Sequence, residues 1–260
     1  TQQTNVDVIA NNLSNVNTTG YKTQTAQFKT LLYQTIQSKT TSANGETKPV
    51  GAQVGLGVRN ASITTNFRQG SLTSTDINTD FAIDGKAFFA VQNLDGETVY
   101  TRNGSFNWAI GNEEGGVMLC SSEGFPVLDT FGMSIELGPE YNTSMITIDA
   151  DGNVCYPDEN NNPQPIGMQI GLVQFSNPGG LEKSSGSTYK MTNASGEPIM
   201  EVDDPALQKS KIKQGYLEAS NVQTVDEMVN LIVAQRAYEM NSKAIQAADD
   251  MLGQANQLRR

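Results

Sequence analysis

The sequence predicts an α+β protein, in which helices at the two chain ends pair into a discontinuous, coiled-coil-like domain and an all-β domain lies between them. Three observations predict this arrangement. Apolar residues recur at helical spacing near the start, turn residues interrupt short apolar runs through the middle, and a long helical pattern without proline closes the chain.

The opening segment carries an apolar stripe at the spacing of one helix face. The stripe consists of Val6, Ile9, Leu13 and Val16. Residues 17–20 (Asn-Thr-Thr-Gly) can adopt the left-handed conformation that closes a helix. A second apolar group between Phe28 and Ile36 contains neither Gly nor Pro, and it fits either another short helix or an extended arm.

The middle of the chain has the pattern of antiparallel strands. Residues 37–59 are rich in Ser, Thr, Gly, Asn and Lys, which is typical of an exposed hairpin or linker. Beyond them, apolar runs at 80–91 and 98–101 flank an Asp95–Gly96 turn, which predicts a hairpin. Further Gly-containing turns follow at short intervals, and this spacing favours a sandwich or barrel.

The last part of the chain has the rhythm of a coiled-coil seam. Seam positions alternate in steps of 3 and 4 residues: Leu231, Ala234, Tyr238, Asn241, Ile245, Ala248, Leu252 and Ala255. A capping box, Thr224 with Glu227, opens the run, and Asn221 is an alternative start. Asn241 on the seam would penalise misaligned pairings.

This helix has more apolar surface than one partner covers. A neighbouring stripe consists of Val222, Val225, Val229 and Ile232. A helix of about 35 residues is about 50 Å long, which exceeds the width of a β-domain of this size. We therefore expect the helix to bundle with the opening helix and with neighbouring copies of the chain.

Four segments follow from these patterns. Residues 1–36 form an N-terminal helix and a following arm, and residues 37–59 form an exposed hairpin or linker. Residues 60–215 form the central β-domain, and residues 216–260 form a C-terminal helix that packs with 1–36.

Composition argues against several classes of function. The chain has 17 Lys and Arg against 28 Asp and Glu, and the net charge of −11 disfavours nucleic acid. No apolar run is long enough to insert into a membrane, and no residue series marks a cleavable export signal.

Catalytic and metal chemistry lack the usual residues. The absence of His excludes Ser–His and Cys–His pairs, and two cysteines cannot form a four-thiolate zinc site. Residues 149–153 (Asp-Ala-Asp-Gly-Asn) have some likeness to a calcium loop but are better explained as a hairpin turn. We expect no enzyme, no cofactor and no metal, and the sequence leaves the role of Cys120 and Cys155 open.

Motifs at both ends resemble those of the flagellar rod and hook axial proteins. The opening signature spans residues 8–22 and includes Asn11, Asn12, Leu13, Asn15, Asn17, Gly20 and Tyr21. So many asparagines in a helix are not favoured by helix propensity. Residues 215–222, 227–230 and 235–252 match the family's C-terminal pattern, and residues 53–58 and 100–106 match its central motifs. The resemblance is nearest to distal rod members.

The resemblance implies a structural subunit of the distal rod that transmits torque from motor to hook. In the family, paired termini form the inner tube of a helical assembly, and the β-domain forms its outer layer. Implied partners are copies of the chain, other rod proteins below, hook proteins above, the surrounding bushing rings and the type III export apparatus. The implied location is the basal body, in the rod that crosses the periplasm.

Two further expectations follow from the same resemblance, and alternatives to it are kept open. The segment matching residues 39–58 is associated with a straight, stiff rod, and the family's axial helix begins several turns before the position of Thr1. The close alternatives are a hook or proximal rod protein. An alternative of a different class is a secreted β-sandwich adhesin or binding module with a helical stalk.

Overall fold

A computed structural model of the chain describes residues 1–37, 52–111, 115–158 and 162–257. The fold is α+β, as predicted, with helix α1 (Gln2–Ser14) near one end, helix α2 (Thr224–Gln257) near the other, and a mostly β region between them. The chain divides into two compact units. The helical unit comprises Thr1–Leu13, Gln24–Thr64 and Val225–Arg260, and the β-unit comprises Ser14–Thr23 and Thr65–Thr224.

The helical unit combines the two helices with an extended arm. The arm consists of β1 (Gln24–Thr30), β2 (Tyr33–Gln37), β3 (Ala52–Gly55) and β4 (Val58–Thr65). Strand β1 pairs with β4, and β2 pairs antiparallel with β3, with Tyr33 opposite Gly55. The apolar group between Phe28 and Ile36, which the sequence left open, is therefore extended. Part of the predicted hairpin or linker, residues 38–51, lies outside the described residues.

The β-unit is built from short strands. They are β5 (Leu72–Ser74), β6 (Phe81–Asp84), β7 (Phe88–Gln92), β8 (Thr98–Thr101), β9 (Phe106–Ile110), β10 (Val117–Ser121), β11 (Glu136–Leu137), β12 (Thr147–Ile148), β13 (Asn153–Pro157), β14 (Pro163–Gln169), β15 (Leu172–Gln174), β16 (Glu182–Lys183), β17 (Thr188–Lys190), β18 (Ile199–Met200), β19 (Lys211–Gln214) and β20 (Tyr216–Glu218). Short 3-10 turns occur at Thr143–Met145 and Pro178–Gly180.

The central hairpin of the β-unit is β7–β8, as the turn signal predicted. It lies inside a six-stranded antiparallel sheet with the order β16-β17-β8-β7-β15-β18. Side chains on β7 alternate between two apolar clusters: Phe89 and Val91 belong to one, and Phe88 and Ala90 to the other. Both faces of this sheet are therefore buried, which explains the nearly continuous apolar run in the sequence.

Two three-stranded sheets and two two-stranded pairs complete the described part of the β-unit. The orders of the three-stranded sheets are β11-β10-β9 and β12-β13-β14, and the two-stranded pairs form between β19 and β6 and between β20 and β5. Residues 149–153 form the turn between β12 and β13, where Asp149 N donates to Asn153 O at 3.0 Å. The hairpin turn predicted at this point is confirmed.

The predicted start of α2 at Thr224 is confirmed, but the C-terminal helical segment was given too early a bound at residue 216, because Tyr216–Glu218 form β20 and pair with β5. The predicted end of α1 was wrong. Helix α1 ends at Ser14, so Val16 lies beyond it and does not share the helical stripe. Asn15 forms a turn there, in which its backbone O and its Oδ1 accept from Thr18 N and Oγ1 at 3.2 and 3.1 Å.

Among the described residues, no helix has both the length and the apolar character needed to cross a membrane.

Candidate assembly site

The two helices of the helical unit lie side by side and antiparallel. Val8 and Ile9 of α1 line a cavity of about 370 Å³ together with Val233 and Ala234 of α2. Near the start of α1, Val6 lines a groove with Tyr238. Asn12 near the end of α1 contacts Glu227 in the first turn of α2. Pairing thus runs from the start of α2 to about Tyr238.

The predicted seam of α2 has a covered part and an open part. Ala234 is 3% exposed and Leu231 is half-buried, whereas Tyr238, Asn241, Ile245, Ala248, Leu252 and Ala255 are exposed. Every residue from Lys243 to Gln257 is exposed. On α1, Ile9 is buried, and Val6 and Leu13 are half-buried. The second stripe is buried at Val222 and exposed at Val225, Val229 and Ile232.

Asn12 of the signature links three segments of the helical unit. Its side chain is 1% exposed, and Nδ2 donates to Gln24 O at 2.8 Å and to Glu227 Oε2 at 3.4 Å. Gln24 N donates back to Asn12 Oδ1 at 2.9 Å. A side-chain amide supplies both donor and acceptor at one point, so asparagine fits this position where an apolar residue would leave strand backbone groups unpaired.

The other signature asparagines have different surroundings. Asn11 is exposed and donates to Gln24 Oε1 at 3.3 Å. Asn15 closes the turn after α1, and Asn17 is exposed. The signature is therefore not one continuous contact surface.

Gly20 and Tyr21 belong to the β-unit, not to the helix pair. Gly20 has φ +68°, and a Cβ placed on it would meet Asn103 N at 2.7 Å. Its N–H donates to Glu218 O at 2.8 Å. Tyr21 is 4% exposed, with Lys183 Nζ 4.8 Å from its ring centroid. Only glycine allows so close an approach with this backbone conformation.

A buried ionic triad lies directly beside this turn. Lys22 Nζ is 2.5 Å from Glu218 Oε1, and Arg102 Nη1 is 3.3 Å from Glu218 Oε2. All three side chains are at most 2% exposed, and Gly70 N also donates to Glu218 Oε1 at 2.8 Å. Burial lowers the pKa of Lys22 and of Arg102, and the carboxylate of Glu218 opposes this shift in both.

The triad joins three motifs that are far apart in the sequence. Lys22 ends the opening signature, Arg102 lies in the 100–106 motif, and Glu218 lies in the 215–222 motif. Sequence reasoning noted all three motifs but did not single out these charges. A charged residue inside each otherwise polar or apolar motif was the available signal, because buried charges need partners.

Asn221 holds the neighbouring segments in the same way as Asn12. Its Oδ1 accepts from Thr23 N at 2.8 Å and from Thr23 Oγ1 at 2.7 Å, and its Nδ2 donates to Asn66 O and Arg68 O at 2.9 Å each. This residue, an alternative helix start in the sequence, therefore closes the β-unit three residues before α2 begins.

The extended arm exposes many large apolar side chains. Those at least half exposed are Leu32, Tyr33, Ile36, Val54, Leu56 and Ile63. Exposed apolar surface on this scale marks an interaction surface. Together with the open part of α2, it gives the helical unit two unsatisfied apolar surfaces.

Paired terminal helices, a β-unit inserted between them in sequence and open apolar surfaces are the features of a subunit that assembles with further protein chains. Three family models match: "Flagella basal body rod protein" at residues 1–22, "Flagellar hook protein FlgE/F/G D1 domain" at 82–156, and "Flagellar basal body rod FlgEFG protein C-terminal" at 213–258.

Relatives that align over the whole chain give a more specific assignment than the family models do. The chain is 44% identical to the flagellar basal-body rod protein FlgG of Borreliella burgdorferi, over 100% of this chain and 94% of that protein. Identity to FlgG of Caulobacter vibrioides is 42% (99% and 95% covered), and to FlgG of Bacillus subtilis 35% (99% and 94% covered). The chain belongs to the flagellar basal-body rod protein family.

Membership confirms the main functional prediction. The protein is a structural subunit of the flagellar rod in the basal body, and it is not an enzyme. These findings fit a rod subunit better than the alternative of a secreted adhesin with a helical stalk.

Proposed function

We propose that this chain builds the distal part of the rod by self-assembly through the open face of α2, and that the resulting tube carries torque from motor to hook. The exposure of α2 from Lys243 to Gln257 carries this proposal. The proposed neighbours are other rod proteins below, hook proteins above, and the surrounding rings, with delivery by the flagellar export apparatus.

The lengths of the helices support an intermolecular role for α2. Helix α2 has 34 residues and α1 has 13, which correspond to about 51 Å and about 20 Å. Ile245 and Leu252 lie seven residues apart on one side of the uncovered part and are 71% and 70% exposed. Full burial of each such side chain against a neighbour is worth about 1.5–3 kcal/mol.

The arm supplies a second contact of the proposed assembly. Val54, Leu56 and Val58 are exposed by 51%, 59% and 49%. If these side chains pack on a neighbouring copy, that copy is held at a second contact in addition to the α2 contact. Two contacts per copy would oppose bending of the rod. This agrees with the expectation that residues 39–58 make the rod straight, although residues 38–51 lie outside the described residues.

The proposed interface is tested by Ile245→Asp, with Lys243→Asp as the matched control on the same exposed stretch. Both side chains are exposed in the single chain, so both variants should give monomers with wild-type circular dichroism. Only Ile245→Asp places a charge on the seam, and it should abolish pelletable tubes in sedimentation and electron microscopy. Assembly of Ile245→Asp at the wild-type critical concentration would contradict the assigned interface.

The curvature of the tubes distinguishes a distal rod subunit from a hook subunit. Straight tubes in micrographs of the wild-type protein are the expected result for a distal rod subunit. Curved tubes would instead support the hook alternative.

A further inference from the structure

The β7–β8 hairpin carries a negatively charged turn at one end. In this acidic tip, residues 93–97, Asp95 and Glu97 lie near Lys190 together with Glu182. Glu97 Oε2 is 2.6 Å from Lys190 Nζ, and this hydrogen bond is the main reason why the pKa of Lys190 is raised. Three carboxylates thus surround one ammonium group, and the neighbouring Leu94 is 88% exposed.

A positively charged cleft lies at the opposite end of the same hairpin. This basic cleft has a volume of about 940 Å³ and is lined by Arg68, Lys86, Arg102 and Lys209. The carboxylate that lines it, Asp84, is already paired with Lys213 at 2.8 Å. A concentration of cations in one cleft is notable on a chain whose net charge is −11.

Arg102 gives the cleft a donor that the chain itself does not use. Its Nη1 faces Glu218, its Nη2 donates to Gly85 O at 2.8 Å, and its Cζ lies 5.1 Å from the Phe88 ring centroid. The guanidinium is 2% exposed, and its Nε has no hydrogen-bond partner in the part of the chain that the structure describes. Buried donors are normally satisfied, so this atom points to an incoming acceptor.

The cleft also has an apolar wall. Phe67 and Phe175 line it beside the cations. Cations next to aromatic rings fit a segment in which an aliphatic side chain stands beside carboxylates, and the acidic tip, Asn93-Leu94-Asp95-Gly96-Glu97, has this composition.

The tip and the cleft cannot meet within one chain. Strand β7 has five residues and separates them by about 17 Å. Lys86 precedes β7 and Arg102 follows β8, whereas residues 93–97 connect the far ends of these strands. A contact between tip and cleft therefore joins two copies of the chain, and in a filament it would repeat from each copy to the next as a heterologous contact.

We propose that the acidic tip of one copy docks into the basic cleft of the next copy in the assembled rod. This inference rests on the proposed self-assembly and adds a contact between β-units to the contacts of the helical unit. Asp95 meets Lys86 and Lys209 at the mouth of the cleft, Glu97 keeps its pair with Lys190, and Leu94 packs on the aromatic wall of the cleft.

Disulfide trapping tests the contact directly in assembled tubes. Tubes grown from an equal mixture of Leu94→Cys and Lys86→Cys subunits should give disulfide-linked dimers after mild oxidation. The control pairs Leu94→Cys with Phe131→Cys, an 80% exposed position outside the cleft, and should give none. The native Cys120 and Cys155 are 3% and 7% exposed, and tubes of the unmodified chain control for their reaction.

Charge reversal tests whether the contact between tip and cleft contributes to the free energy of assembly. Asp95→Lys should raise the critical concentration for assembly by about tenfold, and adding Lys86→Glu to the same chain should restore it. Glu140→Lys, an exposed acid outside the tip, should have little effect. Normal wild-type tubes with neither dimers nor an effect of Asp95→Lys would overturn this inference alone. Failure of the wild-type chain to form tubes would overturn the proposed function as well.

Discussion

Replacing Glu218 by Gln should destabilise the β-unit more than any change to a surface ion pair. The side chain of Glu218 is 1% exposed and accepts from Lys22, Arg102 and Gly70. Gln keeps the shape but removes the charge, so two buried cations lose their only carboxylate in the triad. The side chain of Lys22 is 0% exposed, so its ammonium group loses the carboxylate without gaining contact with water.

The size of the effect follows from burial. Removing one partner of a buried ion pair costs about 3–5 kcal/mol, out of a total stability of about 5–15 kcal/mol. With a urea m-value of about 2 kcal/mol/M, the unfolding midpoint should fall by about 1.5–2.5 M. Asp84→Asn is the control, because its pair with Lys213 is about half exposed and is worth at most about 1 kcal/mol.

Fluorescence of Trp108 provides the assay. It is the chain's single tryptophan, and it packs against the apolar cluster of the β-unit, so its emission reports unfolding of that unit. Combining Glu218→Gln with Lys22→Met should recover part of the loss, because one uncompensated charge is removed. A midpoint for Glu218→Gln within about 0.5 M of that for Asp84→Asn would refute the assignment of the triad as a stabilising junction.

Two further substitutions test the signature residues. Asn12→Ala should cost the helical unit about 1–3 kcal/mol, measured by circular dichroism at 222 nm during urea unfolding, because Gln24 and Glu227 lose their partner. The exposed Asn11→Ala should cost less than about 0.5 kcal/mol, and equal losses would contradict this role for Asn12. Gly20→Ala should cost more than about 2 kcal/mol, whereas Gly124→Ala, with φ +85° but no atom within 4 Å, should cost about 1 kcal/mol.

Local signals in the sequence predicted the elements that local interactions determine. The Thr224 start of α2 and the β7–β8 hairpin each rest on residues within a few positions of one another. Assignments that depend on distant partners failed. Val16 was assigned to the helical stripe from its spacing alone, but α1 ends at Ser14. Residues 216–218 were assigned to the C-terminal helical segment, but they form a strand because they pair with β5.

The junction residues were beyond sequence reasoning for a similar reason. Lys22 and Glu218 are 196 positions apart, and no periodicity relates them. Asn12 was recognised as part of a signature, but its bonds to Gln24 and Glu227 depend on how three segments meet. Their residue types carried the signal that such partners exist, and the fold was needed to identify the partners.

In each unit, a polar contact joins a segment from the first part of the chain to a segment from its last part. Asn12 bonds to Glu227 across 215 positions in the helical unit, and Lys22 bonds to Glu218 across 196 positions in the β-unit. Such contacts form only after a long loop has closed, and the entropy of that closure is lost before they contribute any stability. The β-unit is therefore not independent of the ends: its last strand, β20, carries Glu218, and its first segment carries Lys22. The segments that complete the β-unit, around Lys22 and Glu218, thus lie next in sequence to the helices that we propose as the assembly surface.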